Sequence, residues 1–134
     1  MAGYSGTSLA AKLGIKEGCK LALVGAPEGF RELLEPLPTS VQFVAKASKT
    51  TTIVHVFTAK RAELAQAVAA YRERLSPEAV LWISWPKKSS KVASEISEET
   101  VRELALPLGW VDVKVCAVTE VWSGLKLVVR KELR

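Results

Sequence analysis

The chain closes on Trp110-Val111-Asp112-Val113-Lys114-Val115-Cys116-Ala117-Val118-Thr119-Glu120, a short connection, and Leu125-Lys126-Leu127-Val128-Val129-Arg130-Lys131. Both flanks are rich in β-branched residues. They read as two long strands joined by a tight turn around Trp122-Ser123-Gly124. So short a connection forces an antiparallel pair, because parallel neighbours need a crossover of a dozen or more residues. The last strand is therefore expected to run against those before it.

Upstream, strand-length apolar runs alternate with helical spacing. Val80 to Trp85 reads as a strand, as do Ile53 to Phe57, Val41 to Val44 and Cys19 to Val24. Between them Leu64, Val68, Tyr71 and Leu75 line one helical face, and Pro77 ends that helix. A later helix opens at Ser97, with Ile96 and Val101 placed for a hydrophobic staple and Glu98 and Glu99 on its positive end. Pro107 and Gly109 stop it. Near the start, Thr7 or Ser8 caps a short helix holding Leu9 and Leu13, and Gly14 supplies its left-handed stop. Gly25-Ala26-Pro27-Glu28-Gly29 leads into another short helix with Pro27 in its first turn. The polar, basic stretch Ala45 to Thr52 is the segment best placed to be mobile. Strands alternating with helices imply parallel neighbours and right-handed crossovers. The expected fold is α/β: a three-layer Rossmann-like sandwich around a mostly parallel six-stranded sheet with an antiparallel C-terminal strand, in one domain over 1–134.

Composition narrows the class. The 134 residues are 49% hydrophobic and 25% charged, a globular balance. Nineteen basic against 14 acidic side chains give +5, which favours anionic partners weakly. Met1-Ala2-Gly3-Tyr4-Ser5-Gly6 has neither the basic head nor the apolar run of a secretory leader, and no run is long enough to cross a membrane. The two cysteines, Cys19 and Cys116, fall in strands and read as buried thiols of a reducing, cytoplasmic compartment.

Catalytic residue types are scarce. His55 is the only histidine and sits mid-strand with no evident partner, so it reads as a packed or hydrogen-bonded sheet residue. One histidine and two separated cysteines do not make a metal site. Helix-start electrostatics accounts for Glu98 and Glu99, which leaves no catalytic residue assigned.

Three stretches carry a family likeness: Tyr4-Ser5-Gly6-Thr7 with Lys12-Leu13-Gly14-Ile15, then Leu81 to Lys88, then Val111 to Val118 with Trp122-Ser123-Gly124-Leu125-Lys126. Together they resemble an uncharacterised bacterial family known only as a domain of unknown function. The closing helix, strand and hairpin are also similar to the end of the S-adenosylmethionine-dependent methyltransferase fold. That resemblance implies a cofactor over the first two strands, held by a glycine-rich loop after the first and an acidic residue ending the second. Here Pro27 stiffens the loop, and Val44-Ala45-Lys46 ends the second strand without a carboxylate. The cofactor residues do not carry over, no cofactor is assigned, and S-adenosylmethionine is expected to bind poorly.

Open parallel sheets bind ligands beyond the carboxyl ends of their strands. That edge should gather Gly25, Pro27 and Gly29 after the first strand and Lys60 and Arg61 after the third. Trp85, Lys87 and Lys88 after the fourth, and Trp122 and Ser123 from the hairpin, should join them. Helix N-termini and lysines attract anions, while indoles offer a flat apolar surface to a base. The bland alternative is a solvated lysine loop with two core indoles. The leading function is a non-catalytic or weakly catalytic module for an anionic small molecule or nucleotide, and a nucleic-acid end would also suit such a rim. An S-adenosylmethionine-dependent methyltransferase with an altered cofactor loop is the alternative. A third reading is a protein-interaction or regulatory subunit. On the fifth strand, alternation would put Trp110, Asp112, Lys114 and Cys116 on one face. There Asp112 and Lys114 either form an internal ion pair or meet a second subunit in a homodimer.

Overall fold

The computed structural model describes residues 7–134. The leader reading and the Tyr4-Ser5-Gly6 part of the opening motif lie outside the described residues. The elements are α1 (Leu9–Lys12), β1 (Lys20–Val24), α2 (Phe30–Leu33), β2 (Gln42–Phe43), β3 (Ile53–Phe57), α3 (Arg61–Arg74), β4 (Val80–Pro86), α4 (Glu98–Ala105), β5 (Trp110–Ala117) and β6 (Trp122–Val129). They build one six-stranded sheet in the order β2-β1-β3-β4-β6-β5. β1 to β4 are mutually parallel, and β6 runs antiparallel to both β4 and β5. The last strand thus slots between its two predecessors and leaves β5 at the edge.

Each sheet face has its own core. Val54, Val56, Leu81, Ile83, Trp85, Leu125 and Leu127 pack beneath Leu64 and Val68 of α3 and Val101 and Ala105 of α4. Leu21, Ile53, Phe57 and Trp82 pack on the other side against Ala10 of α1, Phe30 of α2 and the neighbouring Leu13 and Leu34. All five residues of β3 are buried, as a strand covered on both faces requires. The helix starts follow their caps. The Ser8 hydroxyl accepts from the Ala11 N–H at 3.1 Å, and Ser97 and Thr100 form a reciprocal capping box.

Four local expectations are corrected. Pro27 lies outside α2, whose N-cap is Gly29 with φ +82°. The hairpin turn sits at Val118–Val121, where the Thr119 hydroxyl accepts from the N–H groups of Val121 and Trp122, both at 3.1 Å. A threonine side chain closes the turn, so Trp122, Ser123 and Gly124 are strand residues. The basic stretch after β2 is tied down: Lys49 Nζ donates to the carbonyls of Glu73 and Leu75 at 2.8 and 3.2 Å, capping α3. Finally, a bulge between Asp112 and Lys114 breaks the alternation of β5. Trp110 belongs to the core under α3 and α4, and Cys116 to the core on the α1 side. Asp112 then meets Arg102 of α4 at 2.9 Å instead of Lys114, and Arg102 also holds Glu98 and Glu99.

Gly124 shows how tightly β6 is seated. A Cβ there would stand 2.8 Å from Val118 Cγ2, 3.1 Å from Ser84 Oγ and 3.3 Å from the Trp82 ring. Gly124→Ala is expected to cost about 1–3 kcal/mol as an overpacked site, against about 0.5 kcal/mol or less for Ser123→Ala beside it. Equilibrium urea denaturation of the two variants checks this, and equal costs would remove the tight seating.

Candidate functional site at the carboxyl edge of the sheet

The chain leaves β1 for β2 on one side and returns to β3 on the other, so the sheet reverses its winding at β1. Such a switch point is where open α/β sheets leave a crevice. Gly25, directly after β1, has φ +69°, and a Cβ on it would lie 2.6 Å from the Phe57 carbonyl oxygen. Its glycine is required by the close approach of two strand ends, whatever binds nearby.

Beyond that contact lies an open depression of about 340 Å³ lined by Leu23, Ala26, Pro27, Gly29, Phe30, Arg31 and Glu32. The Arg31 guanidinium stacks 4.1 Å over the Phe43 ring, which braces it from β2. Pro27 and Gly29 were expected at the edge. Arg31 and Glu32 are additions that the sequence reading did not single out. Their one sequence signal is their place directly after the glycine turn of the first strand.

A row of aromatic rings leads from this depression to the hairpin. Phe30 meets Phe57 edge-on at 4.8 Å, and Phe57 meets Trp122 edge-on at 5.3 Å. Trp122 is half-buried and pairs in register with Pro86, while the Lys87 N–H donates to the Val121 carbonyl at 2.8 Å. Gly25, Pro27, Gly29 and Trp122 thus share the α2 margin of the sheet, and Lys87 and Lys88 follow the carboxyl end of β4.

Trp85 does not join them. It is 6% exposed, in the core beneath α3 and α4, and Ser123 is its register partner. Lys60 and Arg61 open α3 on that side, where acidic groups already engage the helix start. The Arg61 N–H donates to Glu95 Oε1 at 2.8 Å, and its guanidinium meets Glu103 at 2.6 Å. Thr58 Oγ1 donates to Glu63 at 2.5 Å and accepts from the Lys60 N–H at 3.1 Å. The positive end of α3 is neutralised from within. Among the described residues, Lys60, Lys87 and Lys88 have no carboxylate within 4.0 Å.

His55 lies beneath this margin. It is 1% exposed, its Nε2 is 2.6 Å from Ser84 Oγ, and its ring stacks 4.2 Å from Phe57. Burial lowers its pKa from 6.5 to about 3, so the ring is neutral at physiological pH. The apolar space around it, lined by Leu13, Leu21, Phe30 and Trp82 among others, has no room for water. Cys19 and Cys116 are buried free thiols, and burial pushes the Cys116 thiol up. Among the described residues no three His, Cys, Asp or Glu side chains group as metal ligands, and no helix is long and apolar enough to cross a membrane.

No family model matches the chain and no curated protein is significantly similar to it, so the likeness to an uncharacterised bacterial family gains no support there. Solved structures do match. A Sulfolobus solfataricus protein assigned to the type 11 methyltransferases superposes with TM-score 0.64 at 12% identity, covering 92% of this chain and 90% of that one. An S-adenosylmethionine-dependent methyltransferase from Aquifex aeolicus gives 0.62 at 15%, over 90% and 87%. The Aeropyrum pernix fibrillarin, which carries natively bound S-adenosylmethionine, gives 0.59 at 12%, over 90% and 73%. At such identities the likeness establishes the fold, and the chain has the fold of S-adenosylmethionine-dependent methyltransferases.

The buried imidazole makes stability depend on pH. Its folded pKa lies below the unfolded value of 6.5, so the unfolded chain takes up the proton first. The contribution of His55 is complete above pH 6.5 and drains away as pH falls toward 3. Between pH 8 and pH 5 the unfolding free energy should drop by about 2 kcal/mol, and His55→Gln should flatten that slope. Urea midpoints across that range decide it, and an equally steep slope in the variant would place the proton uptake elsewhere.

Proposed function

We propose that this protein is a non-catalytic or weakly catalytic module that binds an anionic small molecule or nucleotide at the carboxyl edge of its sheet. The observation that carries the reading is the open depression at the switch point, continued by the row Phe30, Phe57, Trp122 to the carboxyl end of β4, after which the unpaired Lys87 and Lys88 follow. A planar base finds the half-buried indole, and a phosphate finds Arg31 at one end or the lysines at the other. Trp85, Lys60 and Arg61 lie outside this version of the site because the sheet and the carboxylates around α3 separate them from it.

The fold neighbours favour a second reading, an S-adenosylmethionine-dependent methyltransferase with an altered cofactor loop. No carboxylate follows β2 here, so in that reading Glu32 is the group lining the depression that would meet ribose hydroxyls. Ribose hydroxyls left without a partner cost on the order of 1–3 kcal/mol, about one to two decades in affinity.

Two titrations separate these readings. With ADP as the probe, wild-type tryptophan emission should change saturably, and Trp122→Phe should abolish most of the change while Trp85→Phe keeps it. Lys87→Glu with Lys88→Glu should weaken ADP about tenfold or more at low salt and flatten its ionic-strength dependence. An unperturbed wild type, or a double variant that binds as before, would leave the lysines a solvated loop. In calorimetry, S-adenosylmethionine should bind no tighter than about 100 μM. Low-micromolar binding weakened by Glu32→Gln would instead establish the methyltransferase reading.

A further inference from the structure

Away from the carboxyl edge, on the sheet face covered by α1, three lysines come together without an acid. Lys114 on β5 and Lys126 on β6 are direct register partners, so two like charges face each other across adjacent strands. That placement is unfavourable on its own. Lys114 Nζ donates to the Lys12 carbonyl at 2.9 Å, and Lys126 Nζ would lie 3.9 Å from a Cβ on Gly14, at the end of α1. Burial raises the Cys116 thiol, and the charges of Lys114 and Lys12 pull it partly back. Among the described residues none of the three has a carboxylate within 4.0 Å, and positions 1–6 carry no Asp or Glu.

Capping of α1 accounts for one of these cations. Lys114 serves its last free carbonyl, and a four-residue helix has too little dipole to call for two more. Lys126 donates no hydrogen bond among the described residues, and its stem lies over Trp82, its register partner on β4. Lys12 and Lys126 are half-buried and Lys114 is exposed. The stems of Lys12 and Lys126 are thus partly covered while Lys114 is open to solvent, and an anion held beside low-dielectric protein gains more than one in bulk water. The site is four residues along β4 from Pro86, about 13 Å from the carboxyl edge.

We propose that Lys12, Lys114 and Lys126 form a second anion site that takes a phosphate-bearing group, with the anion offsetting the repulsion between the opposed lysines. A compact, doubly charged or more highly charged anion suits the opposed Lys114 and Lys126 with Lys12, whose carbonyl Lys114 holds, beside them. A monovalent carboxylate would leave most of the repulsion in place.

The test is a titration of isotopically labelled protein with inorganic pyrophosphate at low salt, followed through backbone amide shifts. The amides of Lys12, Gly14, Lys114 and Lys126 should move saturably and together. Gly25 and Gly29 report separately on the carboxyl-edge depression, so failure at one site is distinguishable from failure at the other. Lys126→Gln should weaken the Gly14 response about tenfold. It should leave the anion-free protein as stable or slightly more so, since it removes a like-charge contact and breaks no hydrogen bond. A structural role for Lys126 predicts the reverse, lower stability and unchanged pyrophosphate affinity, and would overturn the proposal. A linear response spread over many surface lysines, or none at Gly14, would overturn it as well. ATP and a short single-stranded oligonucleotide, run in parallel, distinguish a small phosphate ligand from a nucleic-acid backbone. Binding confined to the oligonucleotide would replace the small-ligand form of the proposal.

Discussion

A single hydrogen bond near the centre of the sheet, His55 Nε2 to Ser84 Oγ at 2.6 Å, ties together most of what surrounds it. A polar group this deeply buried must be satisfied, and each of the two has the other. Because the imidazole stays neutral, it stacks on Phe57 as an apolar ring would, and Phe57 in turn positions Phe30 and Trp122. Ser84 lies directly under Gly124, so β6 can take its place beside β4 only because that residue lacks a Cβ. The same few side chains therefore set the inserted last strand, the α2-side core and the aromatic row at the carboxyl edge.

Electrostatics divides the two margins of that edge. On the α3 side, Glu95 closes the helix start, Glu103 engages Arg61, and Glu63 holds Thr58. A charge brought there would have to displace a partner already in place. On the α2 side, Arg31 is stacked but has no carboxylate within 4.0 Å, and just past β4 Lys87 and Lys88 are likewise unpaired among the described residues. Basic residues of similar appearance in the sequence thus have opposite availability. What separates them is the path of the loop from β4 to α4, which carries Glu95 back to Ala59, whose carbonyl accepts its N–H at 2.8 Å.

The fold is shared with methyltransferases, yet the glycine-rich turn and the acidic strand end that this resemblance implies are not both present here. The turn after β1 has a proline and is drawn against Phe57, and the carboxylate nearest the depression comes from α2 instead of β2. Fold and ligand are separate questions here. The first is set by how strands and helices bury their apolar faces, which leaves the second to particular polar groups.

Alternation of apolar runs and helical spacing, with a final pair joined too closely to be parallel, was enough to determine the layer count, the strand directions and both main helices. These depend on local periodicity, which is written in consecutive residues. The bulge at Val113 and the strand role of Gly124 were not legible, because strand register against distant partners decides them, and the turn at Thr119 rests on short-range side-chain bonds that apolar periodicity does not report. Of the candidate site, the glycines and lysines after parallel strands were legible as edge residues, but on which face of the sheet Trp85 and Trp122 lie is set by strand register. Likewise the pairing of Arg61 with Glu103, and of Lys114 with the end of α1, joins segments 42 and 102 residues apart. Only tertiary structure decides such pairings, since a charge in sequence carries no record of which opposite charge the fold will bring to it.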